Sequence, residues 1–194
     1  MVTVAGVVSK SPSKPRPVSV SADLIGRLCT ACGLCCDGRL FQDVRLGRGD
    51  DAGRLRALGL VVDRVGRADR LMQPCAAFDG ARCGVYVERP GVCRKFECHV
   101  LRRVAAGVLS EAEARARVRR ALRLARGIEE ALDRPDDRAD CGSALLTRYA
   151  RRMAQPIDLA AGTGEAGRRG RLLRRVDRYI GFVQDEFLGR PPGG

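Results

Sequence analysis

Apolar residues are regularly spaced in only part of this 194-residue chain. From residue 110 onward they return every three or four positions. In "SEAEARARVRRALRLARGIEEAL", Ala114, Val118, Ala121, Leu122, Ala125, Ile128 and Leu132 fall on one helical face. Ser110 and Glu113 stand at capping-box spacing ahead of that face, and Pro135 ends the run. Leu145, Leu146, Tyr149 and Met153 predict a second helix, stopped before Pro156. The glycine-rich "AAGTGEAGRRG" at 160–170 reads as a linker. Leu172, Val176, Ile180, Val183 and Phe187 then mark one face of a final helix. These stripes are expected to pack on each other and on the preceding region; a docking face for a protein partner is the alternative.

Before residue 105 the pattern is broken into shorter pieces. "LFQDVRL" (40–46) alternates apolar and polar residues as a strand does. "GDDAGRLRALGL" offers Asp50 or Asp51 as a helix cap, Leu55 and Leu58 on one side, and Gly59 as a stop. "VVDRVGRADRLM" (61–72) predicts two short strands around a turn near Gly66. The expected fold is α+β: a small cysteine-rich domain of short strands and helices over 21–104, then a mainly α-helical region over 105–190. Residues 1–20, rich in Ser, Pro and Lys, are expected to be disordered.

Composition adds two constraints. The apolar share is 45%, with eight aromatic residues and no Trp, so Ala, Val and Leu must build the core. The net charge is +13, almost all of it from arginine. Its excess is divided nearly evenly between the halves of the chain, +6 over 1–100 and +7 over 101–194, with no basic tail. Such a spread attracts polyanions at low salt but does not mark a specific nucleic-acid site. The N-terminal apolar run ends at Val8 and lacks the charged leader of a signal peptide. The expected setting is therefore the cytoplasm, without a membrane span, where thiols stay reduced.

That setting changes the meaning of the cysteines, of which there are nine, an odd number. Cys29, Cys32, Cys35 and Cys36 lie within eight positions, and Cys75, Cys83, Cys93 and Cys98 follow at long range. Cys-x2-Cys turns let two thiolates bite one soft ion. Gly33, after the second cysteine, suits a knuckle whose amides point at sulfur. The adjacent pair Cys35–Cys36 diverges by geometry, so the two rarely serve one tetrahedral ion. They feed two centres, or they reach different atoms of one polynuclear cluster. If one helix ran through the segment, Cys29, Cys32 and Cys36 would share a face. Arg27, Arg39, Arg82, Arg89, Arg94 and Lys95 flank the thiols and could offset their charge. Cys141 stands alone and reads as structural; His99, the single histidine, is a candidate ligand only by following Cys98.

The radical-SAM spacing is missing, the ferredoxin run fails at its fourth cysteine, and no zinc-finger histidine pair follows. No phosphate-binding glycine loop with Lys appears, and one histidine gives little basis for a His-dependent triad.

"CTACGLCC" followed by "QPCAAFDGARCGVYVERPGVCRKFEC" resembles the YkgJ-type cysteine-cluster proteins, also called the CxxCxxCC or zinc- or iron-chelating domain family. The correspondence runs through Pro74-Cys75, Cys83 with Tyr86, and Arg89-Pro90 with Cys93, Arg94, Phe96 and Cys98. It covers residues 27–99, and it departs at Glu97, where relatives often carry Pro. The resemblance implies a protein that binds zinc or iron, with an iron–sulfur cluster as one form, through Cys29, Cys32, Cys35, Cys36, Cys75, Cys83, Cys93 and Cys98. A structural or electron-transfer role is expected of closed thiolate sites. Flagellin lysine methylases look related through the same cluster, so an iron–sulfur oxidoreductase or a protein-modifying enzyme is the alternative.

Overall fold

The computed structural model describes residues 20–133, 142–156 and 164–189. Expectations for the N-terminal 19 residues, for Pro135 and for Cys141 lie outside these. The described residues form an α+β arrangement of three short strands and a larger set of helices.

Helix α1 (Ala22–Cys29) starts at Ser21, whose hydroxyl accepts from Leu24 N–H at 3.2 Å, and buries Leu24 and Leu28. β1 (Asp43–Arg45) lies within the alternating stretch, and α2 (Ala52–Ala57) follows. Asp51 is the residue that caps α2. Asp50 instead accepts from Gly47 N–H and Gly91 N–H, each at 2.7 Å, tying two loops together. β2 (Val62–Val65) and β3 (Ala68–Met72) form the hairpin around Gly66, whose φ of +60° needs a residue without Cβ. The sheet is antiparallel in the order β1-β3-β2, with Leu71 of the middle strand opposite both Val44 and Val62.

Two short helices follow that the hydrophobic pattern did not reveal, α3 (Gly91–Lys95) and α4 (His99–Ala105). The long α5 (Glu111–Leu132) carries the full reciprocal capping box between Ser110 and Glu113. Its predicted stripe is buried except for Leu122, which is half-buried. α6 (Leu145–Ala154) matches the second predicted helix.

The linker expected over 160–170 is corrected from Gly164 onward, its first four residues lying outside the described ones: α7 spans Gly164–Val183 and passes into a π-helical turn (Gln184–Leu188). A buried charge anchors this glycine-rich start. The Arg169 guanidinium meets Glu165 at 3.4 Å and donates to the carbonyls of Gln155 at 2.7 Å and Pro156 at 3.1 Å. Tyr179, absent from the predicted face, is fully buried there, while Ile180 is half-buried.

Burial separates two apolar clusters. The larger joins α1, α4, α5, α6, α7 and the π-turn with Leu34 and Leu40. The smaller consists of Leu55, Leu60, Val62 and Leu71 under the sheet. No described helix is long and apolar enough to cross a membrane.

Candidate metal centre

The opening cysteine motif is a chain of tight turns rather than one helix. α1 ends at Cys29, and Gly33 N–H returns to the Cys29 carbonyl at 3.1 Å. Gly33 has φ +69°, and a Cβ there would lie 2.8 Å from Phe78 Cζ. Cys36 N–H then closes on the Gly33 carbonyl at 2.8 Å. Leu34, with no exposed surface, plugs into the helical cluster between these turns. A helix carrying Cys29, Cys32 and Cys36 on one face is thereby excluded.

The later cysteines arrive on separate elements. Cys75 N–H donates to the Cys36 carbonyl at 2.8 Å. Cys83 pairs by its backbone with Phe78, in a loop turned by Asp79, which accepts from Ala81 and Arg82 N–H. Cys93 rides on α3. Cys98 is the N-cap of α4, its Sγ accepting from Leu101 N–H at 3.4 Å. All eight are free thiols.

Their electrostatics fall into two groups. Cys29 is influenced by Cys98; Cys32 by Cys98 and Cys29; Cys35 most strongly by Cys32 and Cys98. Cys36 responds instead to Cys75, Cys93 and Cys83, and Cys93 to Cys75 and Cys83. Cys29, Cys32, Cys35 and Cys98 thus share one neighbourhood, and Cys36, Cys75, Cys83 and Cys93 another. Cys36 also acts on Cys35, less than Cys32 and Cys98 but more than Cys29, and links the groups through the one peptide bond where they meet.

Burial makes the thiols of Cys29, Cys32, Cys35, Cys36, Cys75, Cys93 and Cys98 reluctant to ionise, and neighbouring sulfurs add to it at all of these but Cys98. Cys29 and Cys93 are pushed up to about 11, Cys32 and Cys36 to about 12, and Cys35 well above the ordinary thiol value. Backbone N–H groups work the other way: Leu34 donates toward Cys32, Ala77 toward Cys75, and Leu101 and Val100 toward Cys98. The Leu34 amide is of the knuckle kind that Gly33 was expected to allow.

The donor chemistry fits a soft metal ion. The nearby carboxylates are engaged elsewhere, Asp37 with Arg39 at 2.7 Å and Asp50 with two backbone amides. His99 packs its ring on Gly189, where a Cβ would stand 3.1 Å from it, and its charged neighbours are Arg103, Arg102 and Glu186. It joins neither thiol group. Among the described residues no three Cys, His, Asp or Glu side chains are drawn close enough to hold an ion between them. The structure gives two neighbourhoods of thiols and not a closed coordination shell.

The helices hold the first motif from behind. Tyr179 donates its hydroxyl to the Arg39 carbonyl at 3.0 Å. Arg39 bridges Asp37 and Glu129, and Leu145 N–H donates to the Gly38 carbonyl at 2.9 Å. None of these contacts was legible in the spacing of the cysteines.

Free, grouped thiols with amides aimed at sulfur are donors suited to a soft metal ion. Residues 28–116 match the CxxCxxCC family model, "Putative zinc- or iron-chelating domain". The match contains all eight cysteines and extends past the expected 27–99, through α4 into the start of α5. No curated protein and no solved structure gives a significant match.

Proposed function

We propose that the chain holds two metal centres, with Cys29, Cys32, Cys35 and Cys98 as ligands of one and Cys36, Cys75, Cys83 and Cys93 as ligands of the other. The metal is zinc or iron, the setting is reducing and cytoplasmic, and the role is structural or electron-transferring. The carrying observation is the division of eight thiols into two electrostatic groups of four, with the divergent neighbours Cys35 and Cys36 on opposite sides of it. Four thiolates fill a tetrahedral shell and leave no position for a substrate, which favours such a role over catalysis at the metal. When bound, zinc would supply a cross-link, and iron would add a one-electron couple.

In the metal-free fold the thiols of Cys32 and Cys36, up at about 12, are protonated at neutral pH. Ion uptake must displace those protons, so affinity rises with pH.

The test is anaerobic purification followed by zinc, iron and acid-labile sulfide analysis per chain. Two metal equivalents without sulfide are the expected result. Iron with matching sulfide would replace the single ions by clusters and bring an iron–sulfur oxidoreductase forward. One metal equivalent or none would overturn the two-centre reading.

A further inference from the structure

Arginine is paired over much of the molecule. Arg27, Arg39, Arg54, Arg70 and Arg103 each meet a carboxylate within 3.0 Å. The outer face of α5 and α7 is the exception. There the two helices run side by side and antiparallel. Arg117 of α5 pairs with Glu186 at 2.8 Å, Arg120 stacks on the Phe182 ring 4.6 Å from its centroid, and Arg175 Nη1 donates to the Gly127 carbonyl at 2.5 Å. Residue numbers rise along one helix as they fall along the other, so Arg120 and Arg175 both lie on the seam.

Away from the buried stripes, arginine flanks this seam on both sides. Arg171, Arg174 and Arg178 recur on α7 at three- and four-residue spacing, and Arg123 stands one turn from Arg120 on α5. Arg119 and Arg126 continue the charge along the outer edge of α5. All of these arginines are exposed, and among the described residues none has a carboxylate partner. Glu130 and Asp185 come seven residues past Arg123 and Arg178, at opposite ends of the patch, and Asp177 acts on Tyr149 of α6. Like charges three or four residues apart on a helix repel, and a bound polyanion would relieve that repulsion.

The chemistry of the face selects the polyanion. Protein interfaces centre on apolar and aromatic anchors and keep charge at the rim. Here arginine is at the centre, Phe182 is half-buried under Arg120, and Leu173 is the one exposed large apolar residue of the two helices. Guanidinium forks match phosphate oxygens. No ring is free to stack on an unpaired base, and neither helix carries Asn or Gln to read a base edge. From Arg120 to Gly127 the seam runs about 10 Å, and packed helices stand about 8–10 Å apart. A duplex carries one charge per ~1.7 Å of its axis, so a patch of this size meets several phosphates at once.

We propose that the outer face of α5 and α7 binds the phosphate backbone of double-stranded nucleic acid, independently of sequence, through Arg120, Arg123, Arg171, Arg174, Arg175 and Arg178. The site is separate from the thiol groups and does not depend on the two-centre reading.

The test titrates the full chain into a fluorescein-labelled DNA duplex of about 20 base pairs, read by anisotropy from about 50 to 200 mM salt. For wild type, log affinity should fall by about four to six per tenfold rise in salt, at ~0.9 for each phosphate neutralised. The combined change Arg123→Gln, Arg174→Gln and Arg178→Gln should flatten that slope by about 2 to 3 and weaken binding by about 100-fold at the low-salt end. The combined change Arg45→Gln, Arg48→Gln and Arg67→Gln removes the same charge from exposed arginines around the sheet, and should alter affinity by less than about 3-fold. If the thermal midpoint of the first variant falls, Arg178→Gln alone takes its place, with about a third of the slope change. A second duplex of unrelated sequence should bind as well as the first.

Equal losses in the two triple variants would reduce the binding to the overall charge of +13 and overturn the proposal. So would a clear preference between the duplexes, or a wild-type chain that binds neither. Polyglutamate that displaces the labelled duplex as effectively as unlabelled duplex, at matched charge, would overturn it in favour of an acidic protein partner.

Discussion

The two thiol groups differ less in chemistry than in what supports them. Cys32, Cys35 and Cys98 border the large helical cluster, in which Leu34, Ile128, Val176 and Tyr179 are almost fully buried. Cys75 and Cys93 border the small cluster under the sheet, which has four buried residues. Apolar burial contributes about 25 cal/mol per Å², so the helical side has a core of its own and the sheet side has little beyond its thiols. One side is expected to hold its shape and present ligands; the other is expected to depend on the metal for its shape.

The largest expected effect follows from that contrast. Chelation should release amide protection across β2 and β3 while leaving α5 protected, as read by hydrogen exchange. One structural zinc contributes on the order of 10 kcal/mol in small peptides, more than a four-residue cluster supplies. Equal loss of protection on both sides would erase the distinction. Single substitutions sharpen it: Cys35→Ser and Cys36→Ser should each lower the metal content from two equivalents to one, with only Cys36→Ser deprotecting the sheet.

Ile128→Ala, in the middle of the helical cluster, should cost about 2–5 kcal/mol in urea unfolding and leave metal stoichiometry unchanged. Gly33→Ala forces a Cβ into the Phe78 ring at a left-handed backbone position and should cost about 1–3 kcal/mol. Smaller again, Tyr179→Phe removes one hydrogen bond to the Arg39 carbonyl and should cost about 1 kcal/mol.

Metal-free protein has a pH dependence of definite sign. Thiols whose values rise on folding hold protons that the unfolded chain gives up, so stability falls as pH climbs from the ordinary thiol value toward 11 or 12. Urea midpoints at pH 8 and 9.5 would reveal the fall, and bound metal should abolish it.

Much of the fold could be read where local signals agree. The Ser110–Glu113 box, the Gly66 turn and the Gly59 stop each act within a few residues and appear in the structure as the sequence indicated. Contacts distant in sequence were not legible. Glycine propensity argued for a linker over 160–170, but Arg169 draws Glu165 and two carbonyls into a buried network, and the stretch is helical from Gly164 onward. α4 was missed because its cap is a cysteine, outside the usual capping set. The candidate site divides in the same way. The spacing picked out eight thiols and left two centres or one cluster open for the diverging Cys35 and Cys36, and nothing local assigns Cys98 to the company of Cys29 instead of Cys93. The extended backbone at Phe96 and Cys98, between α3 and α4, makes that assignment.

The arrangement of the two groups along the chain bears on how they assemble. The second group, running from Cys36 to Cys93, is nested inside the first, whose long gap lies between Cys35 and Cys98. Closing the outer ring alone would confine a loop of roughly sixty residues, whereas after the inner ring has closed the same act gathers only a handful. The difference is about 2 kcal/mol of loop entropy. Closing the inner ring alone confines nearly as much chain, so the saving falls to whichever centre loads second, and uptake of the first ion should favour uptake of the other.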